Sequence, residues 1–133
     1  VSEVLARSGC DLLLDLAHAR VSASVLGLDA RTYLEALPLE RTAEIHLSGP
    51  RRLCEVDARR QRLVRENARS VAHLVAFGEE HLIDAHETLQ EEDYDLLAWV
   101  LARTRPRAIS LEYYREPLAL REQLLRLGEM LRR

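Results

Sequence analysis

Histidine and carboxylate side chains recur at the ends of short apolar runs. His46 lies in Glu44-Ile45-His46-Leu47, Asp84 and His86 close Leu82-Ile83-Asp84-Ala85-His86, and Glu112 ends Ser110-Leu111-Glu112. Asp15 ends Leu12-Leu13-Leu14-Asp15, with His18 three residues further on. Nitrogen and oxygen donors in this mixture suit Fe, Mn or Zn better than Ca. Asp84 and His86 are two apart, so on a strand they share a face and can reach one ion. Taken singly, each residue is more often a cap or a hydrogen-bonded structural group. Their recurrence run after run is what favours a metal site, and none of these ends presents a Lys or a Ser nucleophile in an elbow motif.

The elements that must carry these residues follow from periodicity. Apolar runs at 12–16, 43–47, 81–85 and 108–113 have strand length. Helical patterns separate them. One covers 90–104, with Tyr94, Leu97, Trp99, Val100 and Leu101 as its apolar set, acidic residues at its start and Pro106 beyond its end. A short helix at 30–37 follows Asp29 as N-cap and stops at Pro38. A longer Arg-rich helix at 57–77 offers Leu63, Val64, Val71, Leu74 and Val75 as its stripe. The last helix carries Leu118, Leu120, Leu124, Leu125, Leu127 and Leu131, a broad apolar face expected to pack on a sheet.

Helix followed by four strand-helix units predicts an α/β fold with a buried parallel sheet. No GxGxxG or GxxxxGK[ST] follows the first strand, so the nucleotide-binding open sheets lose support. A (β/α) barrel keeps its active site at the carboxyl ends of its strands, where His46, Asp84, His86 and Glu112 stand. Asp15 and His18 join them provisionally, Asp15 as ligand or ligand-orienting group and His18 as ligand or loop cap. His81 begins its strand and belongs to the opposite face, and His73 reads as a surface or packing residue of the Arg-rich helix. Arg51 and Arg52, in an expected loop after Gly49-Pro50, could meet an anionic or peptide substrate, although a solvated loop is the commoner reading. Tyr113 and Tyr114 are candidates for the site's mouth beside Glu112.

Composition narrows the class. The 133 residues are 47% hydrophobic with a formal net charge of -3, which fits one globular domain without an internal boundary and disfavours nucleic acid as a partner. No apolar run approaches the roughly 20 residues that span a bilayer. Two cysteines without CxxC spacing suggest a reducing, cytoplasmic setting; Cys10 reads as core and Cys54 as a loop residue with no activating neighbour. The opening on Val1 inside an amphipathic helix reads as a fragment or a split subunit.

The ordered motifs resemble a known family. Gly9-Cys10-x-Leu12-Leu13-Leu14-Asp15, Val21-Ser22-Ala23, Gly27-Leu28-Asp29, Tyr33-Leu34, Leu37-Pro38-Leu39, Glu44-Ile45-His46-Leu47-Ser48-Gly49, Ile83-Asp84-Ala85-His86 and Leu111-Glu112 are similar to the C-terminal half of the multinuclear non-haem iron-dependent oxidative enzymes, which include the methanobactin-biosynthesis oxidase. The resemblance implies about four βα units of a (β/α)8 TIM barrel of xylose-isomerase type. It implies two or three iron ions, with Zn or Mn as alternatives, that use dioxygen to modify cysteine in a ribosomally synthesised peptide. It also makes His46, Asp84, His86 and Glu112 iron ligands.

This chain departs from the family at Ala17 and His18, where the family has two asparagines, and at Ser48-Gly49-Pro50, where it often reads Ala-Gly-His. The segment between His46 and Asp84 is longer here. Since further family ligands lie in the first half, a missing N-terminal half-barrel or a second subunit is the implied partner, with the peptide and its recognition protein. A metal-dependent hydrolase or isomerase on a related barrel, and a non-catalytic half-barrel that binds a partner, are the alternative functions.

Overall fold

The computed structural model describes residues 1–68 and 78–132. Helix α1 (Ser2–Ser8) leads to strand β1 (Leu12–Asp15), helices α2 (Leu16–Leu26) and α3 (Ala30–Glu35), and strands β2 (Thr42–Leu47) and β3 (Gly49–Arg52). Helix α4 (Ala58–Ala68), strand β4 (Leu82–Glu87), helix α5 (Glu91–Leu101), strand β5 (Ala108–Leu111) and helix α6 (Pro117–Met130) complete the order. Residues 69–77, including the expected helical positions Val71, His73, Leu74 and Val75, lie outside the described residues.

Three strands form a parallel sheet in the order β1-β2-β5, with helices between them in sequence. The α/β class therefore stands, and the arrangement is consistent with part of a barrel-like fold. Register is set by burial. Ile45 and Leu47 of β2 and Leu14 of β1 are buried among Leu34, Leu97, Val100 and Leu127, whereas Glu44 and His46 leave the other face.

Four parallel strands were expected, and here the structure corrects the sequence reading. β4 is not in the parallel sheet; it pairs antiparallel with β3 in a second, two-stranded sheet. The stretch expected as a loop at Arg51 and Arg52 is that partner strand. Its sequence, Gly-Pro-Arg-Arg, has no apolar alternation, so nothing local announces a strand. Pro50 sits where the ladder is irregular, between Gly49 and Arg51, and so costs no regular backbone bond. Leu53, Ile83 and Ala85 form a small separate core beneath it, against which Val56 and Val64 pack, while Leu63 is exposed.

Helix α2 was not anticipated, because Leu-Ala-His-Ala-Arg-Val-Ser-Ala-Ser-Val-Leu has a diffuse apolar pattern. Its boundaries are nevertheless written locally: Asp15 caps it by accepting from the His18 N–H at 2.8 Å, and Gly27 ends it at φ 66°. Helix α5 buries Tyr94, Leu96, Leu97 and Val100, close to the expected face. Helix α6 does not bury its whole leucine face: Leu127 is buried, but Leu118, Leu124, Leu125 and Leu131 are exposed, Leu118 at 74%. Cys10, expected in the core, is exposed.

Two buried polar contacts tie helices α2, α5 and α6 to their neighbours. Asp93 accepts from the Gln90 N–H at 2.7 Å and pairs with Arg20 of α2, both side chains being largely withdrawn from water. Gln123 of α6, buried, accepts from the Leu89 N–H at 2.7 Å. Replacing Asp93 with Ala leaves the Arg20 charge and the Gln90 N–H without their partner. The variant is expected to lose about 3 kcal/mol in urea-unfolding measurements, as broken buried pairs do. Gly49 approaches the β4 backbone so closely that an added Cβ would lie 2.3 Å from the Thr88 carbonyl oxygen. Gly49→Ala is accordingly expected to separate β3 from β4 and to cost about 1–3 kcal/mol, readable as a lowered thermal midpoint.

Candidate metal centre

The parallel register builds the site. Asp15 of β1 stands opposite His46 of β2, and His46 stands opposite Ser110 of β5. Glu112 lies one residue past β5, and its N–H donates to the Leu47 carbonyl at 2.7 Å, which continues the ladder far enough to fix its side chain beside His46. Asp84 and His86 come from the second sheet, on β4. His18 enters from the first turn of α2, where the Asp15 cap sets its position.

These six residues form a ring in which histidine and carboxylate alternate, joined by five contacts and left open between Asp15 and His46, whose ligand atoms lie within 4.8 Å of each other. His46 Nδ1 lies 3.0 Å from Glu112 Oε1. Glu112 Oε2 lies 3.8 Å from His86 Nδ1, and His86 Nε2 lies 3.0 Å from Asp84 Oδ2. The same Asp84 oxygen lies 3.1 Å from His18 Nε2, and His18 Nδ1 lies 3.5 Å from Asp15 Oδ2. Asp15, His46 and Glu112 each offer a ligand atom within 4.8 Å of the others, and so form a group able to hold a metal ion. All three are partly buried, whereas the His18 side chain is 65% exposed.

Supporting groups surround the ring. The Ser48 hydroxyl donates to Asp84 Oδ1 at 2.8 Å, which leaves Oδ2 to the two histidines. The Ser110 hydroxyl donates to Glu44 Oε1 at 2.9 Å, and His46 Nε2 lies 3.1 Å from the same oxygen. These contacts, the Ser110 hydroxyl foremost, hold the Glu44 carboxyl below its ordinary pKa. Arg60 and Arg115 both donate to the carbonyl of Ala85, the residue between Asp84 and His86, at 2.8 and 3.1 Å. His86 itself adopts φ 47°, the left-handed region that non-glycine residues seldom occupy. Such a conformation costs about 1–3 kcal/mol and persists where surrounding contacts over-determine it. The Arg clamps on Ala85 and the approach of His86 Nδ1 to the Glu112 carbonyl oxygen, 3.2 Å, are such contacts.

The structure thus brings together all six residues read as metal ligands from the sequence. The substrate candidates have partners of their own. The Arg51 guanidinium donates to the carbonyls of Pro50 and Thr88, each at 2.8 Å, and Arg52 pairs with Glu80 at 3.3 Å on the surface. Tyr113 is buried, its hydroxyl accepting from the Glu116 N–H, and Tyr114 is exposed. His81 lies just ahead of β4, and its ring accepts from the Gly78 N–H at 2.8 Å. Glu44, Ser48, Ser110, Arg60 and Arg115 were missed. Glu44, Ser48 and Ser110 each stand two residues from His46 or Glu112, a local signal of strand-face sharing, whereas Arg60 arrives from helix α4 and Arg115 from the segment before α6.

The donor set suits a cation. Three carboxylates and three imidazoles converge without Lys or Arg at ligand positions, and the carboxylates repel one another unless protons or a metal lie between them. No helix among the described residues is long and apolar enough to cross a membrane.

The chain is similar to known bacterial proteins. The chain is 39% identical over 111 residues to a UPF0276 protein of Bordetella pertussis, a match covering 83% of this chain and 32% of that protein. A UPF0276 protein of a Caulobacter species is 55% identical over 47 residues, covering 35% of this chain and 17% of the relative. One from Paraburkholderia phytofirmans is 51% identical over 49 residues, covering 37% and 16%. The chain therefore spans about a third of the length of the Bordetella relative. The family model described as RiPP precursor modification enzyme MbnB/TglH/ChrH matches residues 1–126, and the chain belongs to that family.

Proposed function

We propose that this chain supplies part of a multinuclear non-haem iron centre that oxidatively modifies a cysteine of a ribosomally synthesised peptide. The observation that carries the reading is the alternating histidine-carboxylate ring, found in a chain of a peptide-modifying family. His46, Glu112 and Asp15 would hold one ion, and Asp84, His86 and His18 would hold or share another. Bound iron would supply Lewis acidity and dioxygen activation.

The chain's own residues prepare that site. Ser48 and Ser110 orient carboxylates, the Asp15 cap fixes His18, and the Arg60 and Arg115 contacts hold the β4 backbone at His86. The outer edges of β1 and β5 are unpaired in the three-stranded sheet of the described residues, and there the remaining strands of a TIM barrel would add, from further chain or a second subunit. The peptide would approach from the open face that carries Glu44 and His46. A reducing cytoplasm suits both the ferrous ion and the two exposed free cysteines.

Anaerobic purification with metal analysis tests the reading. Iron is expected in the wild-type protein and little in His46→Ala or Asp84→Ala. At a ferrous concentration of about 100 times the dissociation constant, loading is expected to stabilise the fold by about 2.7 kcal/mol, lost on chelation. Tight zinc with no iron dependence would replace the oxidase with a metal-dependent hydrolase or isomerase. Unchanged metal content in both variants would make the chain a non-catalytic partner.

A further inference from the structure

The His46 ring is bracketed by two carboxylates, and only one of them belongs to the metal group. Nδ1 lies 3.0 Å from Glu112 Oε1, and Nε2 lies 3.1 Å from Glu44 Oε1. Glu44 and His46 are two apart on β2 and leave the sheet on one face. Glu44 is not free to swing. Its Oε1 also accepts from the Ser110 hydroxyl at 2.9 Å, and Ser110 is the residue paired with His46 across β2 and β5.

Of the two contacts only the one between Nε2 and Glu44 has hydrogen-bond geometry, the Glu112 oxygen lying at ion-pair distance from Nδ1 without it. An ionised carboxylate only accepts hydrogen bonds, so making the Glu44 bond places the proton on Nε2. A neutral imidazole protonated at Nε2 carries its lone pair on Nδ1, the nitrogen that faces Glu112. Glu112 and Asp15 are the two carboxylates whose ligand atoms meet that of His46 within 4.8 Å. We propose that Glu44, held by Ser110, is a positioning residue that fixes His46 in its Nε2-protonated tautomer and so aims Nδ1 at a cation shared with Asp15 and Glu112. The metal half of this inference rests on the function proposed above, and the tautomer half does not. A carboxylate behind a ligating imidazole fixes ring orientation and raises its basicity, and removal of such partners costs about 10–100-fold in metal affinity.

The test uses the full chain, labelled with 15N, metal-free and at alkaline pH so that the histidines are neutral. Nitrogen-detected correlation spectra then report which ring nitrogen of His46 carries the proton. Nε2 protonation is expected in the wild type and in Glu44→Gln, whose amide oxygen still accepts. A tautomer mixture is expected in Glu44→Ala, with about 10–100-fold weaker binding of Zn2+ by calorimetry. Should Glu44→Ala fail to fold, Ser110→Ala, which only frees the carboxylate, is expected to shift the tautomer in the same direction by less. A wild-type ring protonated at Nδ1, or a tautomer unmoved in Glu44→Ala, would overturn the proposal. Wild-type protein that binds neither Zn2+ nor Fe2+ but keeps the Nε2 proton would instead remove the metal centre and leave the Glu44–His46 linkage standing.

Discussion

The register of β2 between its two parallel neighbours is the constraint on which everything else depends. With Asp15, His46 and Ser110 in one row, Ile45 and Leu47 face the helices and Glu44 and His46 face the opposite side. A slip of one residue would push two ionisable side chains into the core and turn two fully buried aliphatics out of it. Packing and site geometry are therefore specified by the same pairing. The buried aliphatics enforce a position for His46 to which they make no chemical contribution.

A second constraint is electrostatic. Carboxylates placed as near one another as Asp15, Glu44, Asp84 and Glu112 are a liability unless imidazoles, hydroxyls and cations intervene. The structure puts an imidazole between neighbours around the ring and hydroxyls at Glu44 and Asp84. The two sheets each supply part of this set, so neither alone makes the cluster.

What was legible in the sequence followed from local rules. His46, Asp84, His86 and Glu112 could be read because polar residues ending apolar runs stand out, and α5 could be read from its period and acidic start. The β3 strand was invisible because Gly-Pro-Arg-Arg becomes a strand only through its pairing with β4, more than two dozen residues away. That pairing also turned an expected fourth parallel strand into half of an antiparallel ribbon. The leucines of α6 show the converse. Their period predicts burial, but periodicity reports an amphipathic face and does not say what covers it; within the described residues only Leu127 among them is deeply buried. Ser110 and the two arginines at Ala85 belong to contacts that no single segment encodes.

The Asp15 cap has a consequence for the order in which the site comes into being. Asp15 and His18 are three residues apart, and one helix turn is enough to set them side by side. The contact from His18 to Asp84 spans 66 positions and must await closure of a long loop. One corner of the cluster can thus form with the first turn of α2, early and cheaply. The other corners form only when both sheets have met, which makes the completed ring a late reporter of correct folding.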